Sequence, residues 1–232
     1  MIYNERTQRH EQVVAAARQM LTVARTAPKA RGVDIIEAIL VEGDDLKILA
    51  DKMVEIGNER NRPSFIRDAG NVLQAECIVA IGTRYQSLGL NCGHCGFATC
   101  AERERGIYCP SELKNNKETE SAQYCPPELK NSKETESAQY CPPVLGGRGQ
   151  RPEGVNNPQL TEVPCSLNSI DVGIAIGSAC ATAADLRLDT RVMYSIGVAV
   201  EQLGWIGEGV HLTMGIAISA SSKNPFFDRP VK

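Results

Sequence analysis

The chain has 232 residues, enough for one substantial core with an insert, and carries 25 basic against 28 acidic side chains for a net charge of −3. The basic residues are scattered, with no Lys/Arg run interleaved with aromatics, so nucleic acid is not expected as a partner. No apolar stretch approaches the roughly 20 residues of a membrane-spanning helix, and the charged start MIYNERTQRHEQ lacks the apolar core of a secretion signal; a cytosolic protein with no membrane partner is expected.

In a reducing compartment the nine cysteines point to metal or redox chemistry before disulfides, and an odd count fits a closed disulfide framework poorly. Along the chain, Val13, Ala16, Ala17, Met20, Leu21 and Ala24 share one stripe of a helix over residues 5–25, which should stop before Pro28. VDIIEAILVEG reads as a strand. DDLKILADKMVEIGNER restarts a helix, with Asp44 or Asp45 as N-cap and Leu46, Leu49, Met53 and Ile56 inward. A short helix from Pro63 to Gln74 leads into ECIVAIGT, a strand buried on both faces, with Cys77 as a small core residue.

After residue 105 the composition changes. CPSELKNNKETESAQY (109–124) is followed by CPPELKNSKETESAQY (125–140), identical at 14 of 16 positions, and a third copy starts at CPPVL. The segment 106–164 has almost no large apolar residues, so a disordered, duplicated surface insertion is expected. Order resumes at VPCSLNSIDVGIAIGSACATAADLRL, where Asn168 or Ser169 can cap a helix running to about Leu188. Its Gly173, Gly177, Ala181 and Ala184 suggest close packing against another helix or a cofactor. Asp189 or Thr190 is expected to cap a further helix, RVMYSIGVAVEQLG, followed by a last strand VHLTMGIAISA and a polar tail with two exposed aromatics, Phe226 and Phe227. This order gives an α+β class, helices packed on a small sheet.

The chemistry concentrates in NCGHCGFATC, where Cys92, Cys95 and Cys100 are spaced C-x2-C-x4-C. Thiolates are soft ligands that suit iron–sulfur clusters and zinc. The glycines of CGHCG allow positive φ and can turn amide N–H groups toward the sulfurs, stabilising an anionic cluster. Structural zinc usually shows two separated knuckles, whereas one knuckle and a third cysteine five positions later favour a 4Fe-4S cluster. His94 lies between two ligands, where its ring is expected to point away from the metal. For the fourth ligand the residues leave Cys165, Cys109, Cys125 and Cys141 open; closing the longer loop to Cys165 costs little, about 0.6 kcal/mol per doubling of loop length. Cys165 also abuts an ordered helix. No constellation for hydrolytic or nucleophilic catalysis is present around His10, His94 or His211.

NCGHCGFATCAE resembles the cysteine motif of the uncharacterised ferredoxin-domain-containing proteins of bacteria and archaea, and ARTAPKARGVD, DVGIAIGS, DTRVMYSIG and GIAISASSKNPFFDR are similar to that family's flanking segments. The motif also resembles the iron–sulfur segment of corrinoid and acetyl-CoA pathway proteins, whose fourth cysteine stands in a CPP setting, as Cys125 and Cys141 do here. The family resemblance instead implies Cys165, in VPCSLNSIDVGIA. More distantly, the family resembles nitroreductase-like flavoproteins. That likeness implies a three-layer sandwich with helices around a small mixed or antiparallel sheet, an FMN cofactor and a homodimer with flavin at the subunit interface. In TAPKARG, however, Lys29 stands where serine is expected, and Arg6 and Arg9 lack the Arg-x-Ser spacing that grips the FMN phosphate. Lys29, Arg31 and Lys223 are the cations available for a phosphate.

The reading is a single α+β domain over 1–232, with an iron–sulfur loop at 91–105 plus Cys165 and the insertion at 106–164. Its expected function is ferredoxin-like electron transfer through a 4Fe-4S cluster to a flavin or a redox partner protein. The alternatives are an FMN-dependent oxidoreductase with the cluster as relay and a non-enzymatic module with structural zinc.

Overall fold

The computed structural model describes residues 2–105 and 164–227. The chain divides into two compact units, residues 1–86 with 167–232, and residues 87–166. The tandem repeat, with Cys109, Cys125 and Cys141, lies outside the described residues.

The first unit is built on a four-stranded sheet in the order β1-β2-β4-β3. Its strands are β1 (Ile36–Glu42), β2 (Cys77–Arg84), β3 (Asp189–Met193) and β4 (Val210–Ser219), and every neighbouring pair is antiparallel. Because side chains alternate along a strand, β2 presents Cys77, Val79 and Ile81 to one face and Ile78 and Ala80 to the other. Both sets are apolar, so each face needs a helical cover. One face is covered by α1 (Glu5–Thr26) and α5 (Ser166–Asp185), through Val13, Ala17, Met20, Val172, Ala175 and Ala179. The other is covered by α2 (Asp45–Glu59), α3 (Pro63–Val72) and α6 (Tyr194–Gln202), through Leu49, Met53, Ile56, Phe65, Ile196 and Ala199. The result is the three-layer α+β sandwich expected from the sequence.

Cys77 is fully buried on β2, and burial pushes its thiol up to about 12. It is a core residue, as expected.

Five local expectations are corrected. Residues 189–193 form an edge strand and not the start of a helix: Asp189 pairs with Ser219 and Met193 with Gly215. The open edge of β4 offers a row of donors and acceptors, and pairing them outweighs the capping propensity of Asp189. Helix α5 begins at Ser166, so Asn168 is an internal, buried residue whose amide donates to the Gln86 carbonyl at 2.7 Å. Its Gly173, Gly177, Ala181 and Ala184 lie on the exposed side, while Val172, Ala175, Ala179 and Ala183 pack on the sheet. Rich in small and apolar residues, α5 is also long and apolar enough to cross a membrane by length and composition, against the expectation that no segment is. Finally, Phe226 is buried and only Phe227 is exposed. Arg191 of β3 donates to the Phe226 carbonyl at 2.7 Å and lies 5.2 Å from the Phe227 ring centre.

Helix α6 sits unusually close to β4. A Cβ on Gly197 would fall 1.7 Å from the Thr213 carbonyl oxygen, and one on Gly215 would fall 2.1 Å from Cγ2 of Ile196. Here β4 carries a bulge: the register with β2 shifts between Ile81 and Thr83, and Leu212 takes a φ of 54°. The bulge frees the Thr213 N–H, which donates to Oε1 of Glu201 at 2.8 Å. Gly197 and Glu201, one turn apart, therefore supply the clearance and the acceptor for the same kink.

Burial raises the Glu201 carboxyl above its ordinary value of 4.5, against the hydrogen bonds from Thr213. With the folded value raised, its stabilising contribution is complete below about pH 4.5 and is lost as pH rises through the folded value. Glu201→Gln keeps an acceptor for the Thr213 N–H and removes the charge. Its urea midpoint should exceed that of the wild type at pH 7, and the advantage should vanish below pH 4.5.

Candidate metal centre

The unit 87–166 contains all four cysteines nominated as ligands: Cys92, Cys95, Cys100 and Cys165. Cys92 is exposed, Cys95 and Cys100 are half-buried, and Cys165 is buried at the residue before α5. The loop between Cys92 and Cys100 turns through Gly93 (φ 72°) and Gly96 (φ 87°), closed by a bond from the Gly96 N–H to the Gly93 carbonyl at 2.9 Å. Both angles belong to the left-handed region that glycine adopts without cost from a Cβ. Phe97 is buried, whereas His94 is exposed. Helix α4 (Cys100–Arg105) starts on the third cysteine.

Cys100 has the most developed surroundings. Its thiol is held below the usual range by a hydrogen bond from the Ser87 side chain, opposed by partial burial, and by the backbone N–H groups of Asn91, Leu90 and Gly89. The Asn91 N–H lies 3.4 Å from Sγ, and the Asn91 side-chain oxygen accepts the Cys100 N–H at 2.8 Å. Gly89 (φ 66°) and Asn91 (φ 49°) take left-handed conformations, which turn successive N–H groups to one side in an anion-binding nest. The Ser87 hydroxyl itself accepts from the Gly89 N–H at 3.3 Å. Such donors were expected on the glycines of CGHCG; the sulfur of Cys100 instead takes the Asn91 N–H, from SLGLN just upstream. The signal was there: glycine and asparagine two apart are the residues that tolerate positive φ.

Among the described residues no three His, Cys, Asp or Glu side chains converge as a metal site. Unmetallated thiolates repel one another, and a preformed site is rare without its metal. The fit to an iron–sulfur group therefore rests on donor chemistry. Among the described residues this unit brings four thiols, and one of them already takes a backbone N–H, as an anionic metal–sulfur group requires.

The nominated phosphate-binding cations fare differently. The Lys29 ammonium is buried and caps the end of α1, donating to the carbonyls of Arg25 at 2.5 Å, Ala27 at 2.9 Å and Ala24 at 3.5 Å. These are orphan carbonyls of the last helical turn, so the cation is committed to the fold. Arg31 is exposed in a tight turn at φ 57°, and Lys223 is exposed. Beside Lys29, the Ala30 N–H donates to both oxygens of buried Asp171 at 3.1 Å, so the aspartate that opens DVGIAIGS anchors this turn to α5.

An uncharacterized protein of Archaeoglobus fulgidus is 34% identical to this chain over 233 residues, covering 100% of both. The family described as "Uncharacterized protein containing a ferredoxin domain" (DUF2148) matches residues 161–229. The chain belongs to this ferredoxin-domain family. The matched segment holds Cys165 and Cys180 but not the three loop cysteines. Among solved structures, the chain is similar to an FMN-bound nitroreductase from Desulfitobacterium hafniense, with a TM-score of 0.48, 10% identity and coverage of 90% of this chain and 78% of that one. It is also similar to an NADPH:FMN oxidoreductase from Vibrio harveyi complexed with NAD+, at a TM-score of 0.42, 11% identity and coverage of 94% and 64%. At such scores the likeness is one of general topology and carries nothing about a flavin.

The commitment of Lys29 can be checked directly. Lys29→Ala should lower unfolding stability by about 1–2 kcal/mol, the value of a partly buried cation at a helix C-terminus. An unchanged urea midpoint would return Lys29 to the pool of ligand-binding cations.

Proposed function

We propose that this ferredoxin-domain protein is a cytosolic electron carrier holding one 4Fe-4S cluster on Cys92, Cys95, Cys100 and Cys165. The observation that carries the reading is the surroundings of Cys100, whose Sγ takes the Asn91 N–H at 3.4 Å and whose thiol is held below the usual range by Ser87 and the backbone of residues 89–91. A thiol that served only as core packing would look like Cys77, surrounded by apolar side chains and pushed up by burial. The family description supports the same chemistry.

When bound, such a cluster supplies reversible one-electron transfer. The chain's own contribution is to hold the ligands and to set the electrostatics. The nest at 87–91 donates hydrogen bonds toward a sulfur that carries negative charge, which favours the reduced, more anionic state. Cys92, exposed on the loop, puts that side of the site next to solvent, where a redox partner protein can approach. Flavin binding gains no support from the geometry, since Lys29 is committed to α1 and Asp171 places a carboxylate beside the same turn. The proposed carrier is a homodimer. The uncharged outward stripe of α5, with Ile170, Gly173, Ile174 and Gly177 exposed, suits a second copy crossing it.

Protein purified without air should be brown and contain about four irons and four acid-labile sulfides per chain, and should scatter light as twice the chain mass. Cys165→Ala should lose iron in proportion, whereas removal of residues 109–140 should leave the content unchanged. One tightly bound zinc per chain with no sulfide would replace the proposal with the structural-zinc alternative.

A further inference from the structure

The two bonds between Asn91 and Cys100 run in opposite senses. The backbone N–H of Asn91 donates to the sulfur at 3.4 Å, and the side-chain oxygen of Asn91 accepts the backbone N–H of Cys100 at 2.8 Å. Either bond alone would leave a hinge, because the sulfur can rotate about χ1 and the backbone of residue 100 about its own dihedrals. Together they fix the backbone of Cys100 and the direction of its Sγ relative to the same residue. Asn91 can do this because its φ of 49° lies in the left-handed region, where asparagine is among the few non-glycine residues tolerated. Gly89, at φ 66°, keeps the preceding donors on the same side. Cys92 and Cys95 stand on the turn beyond, exposed and half-buried.

We propose that Asn91 is a positioning residue for the metal–sulfur centre. It presents Cys100 as the fixed ligand, with an N–H···S bond already made, while the Cys92–Cys95 knuckle is the part that closes. The proposal rests on the iron–sulfur reading above and deepens it by separating the roles of the ligands. It implies that the iron on Cys100 depends on a residue that is not itself a ligand, and that loss of the clamp favours a three-iron centre.

Two variants separate the side chain from the backbone. Asn91→Gly keeps the left-handed conformation and the N–H donor but removes the side-chain acceptor. Asn91→Asp keeps an acceptor oxygen at the same place. In iron-free protein, amide hydrogen exchange at Cys100 reads the clamp alone. Wild type and Asn91→Asp should be protected, and Asn91→Gly should exchange at least about fivefold faster, as expected for loss of one hydrogen bond. In iron-loaded protein briefly exposed to air, electron paramagnetic resonance reads the three-iron fraction. It should rise several-fold in Asn91→Gly and stay near the wild-type level in Asn91→Asp.

A loaded wild type whose Asn91→Gly variant shows unchanged exchange or an unchanged three-iron fraction overturns this inference and leaves the iron–sulfur reading standing. A rise in both variants overturns it as well, because the acceptor would then be irrelevant. A wild type that binds no iron and sulfide overturns both, and does so before any variant is made.

Discussion

The two central strands, β2 and β4, are apolar on both faces, and much of the architecture follows from that constraint. A sheet whose middle strands cannot meet water on either side must be covered twice, so the helices divide into the pair α1 and α5 and the trio α2, α3 and α6. Between β2 and α5, two adjacent members of this core, the chain inserts the entire cysteine-bearing unit 87–166. The sandwich can tolerate this because the interruption falls in a connection, where extra length adds only slowly to the entropy of loop closure.

The closest contact in the sandwich is also its most specialised. Gly197 lets α6 lie against the bulge in β4, and Glu201 accepts the N–H that the bulge releases. A similar solution recurs in the other unit at Cys100. There too the backbone is bent through left-handed residues, and the N–H groups freed by the bend are directed at one acceptor, a sulfur in place of a carboxylate. In both places, irregular backbone has been given a partner of matching charge rather than left unsatisfied.

Much of the fold was legible because its signals are local and strong. The strand ECIVAIGT has no polar residue between Glu76 and Thr83, and α1 carries an apolar stripe closed by Pro28. The errors came where tertiary context overrides local preference. Asp189 and Thr190 look like caps, but the open edge of β4 makes their segment a strand. The small residues of α5 look like a buried seam on either side, and only the sheet decides which side is covered. For the site, the cysteine spacing identified the ligands to consider, and the residue types showed their chemistry. The committed role of Lys29 depends on where α1 ends in space, and the cradle around Cys100 depends on a return of the loop that brings residues 87–91 beside residue 100. Such contacts are set by φ values that composition permits but does not dictate.

The account comes down to whether the thiols of residues 87–166 assemble one iron–sulfur centre. Mössbauer spectroscopy of protein loaded anaerobically with iron-57 tests this most directly, because it reports the ligands and the electron sharing of every iron at once. The predicted spectrum has all iron in tetrahedral sulfur sites with valence-delocalised pairs, as in a four-iron cubane. Iron in isolated tetrathiolate sites, or bound through oxygen and nitrogen, would contradict it.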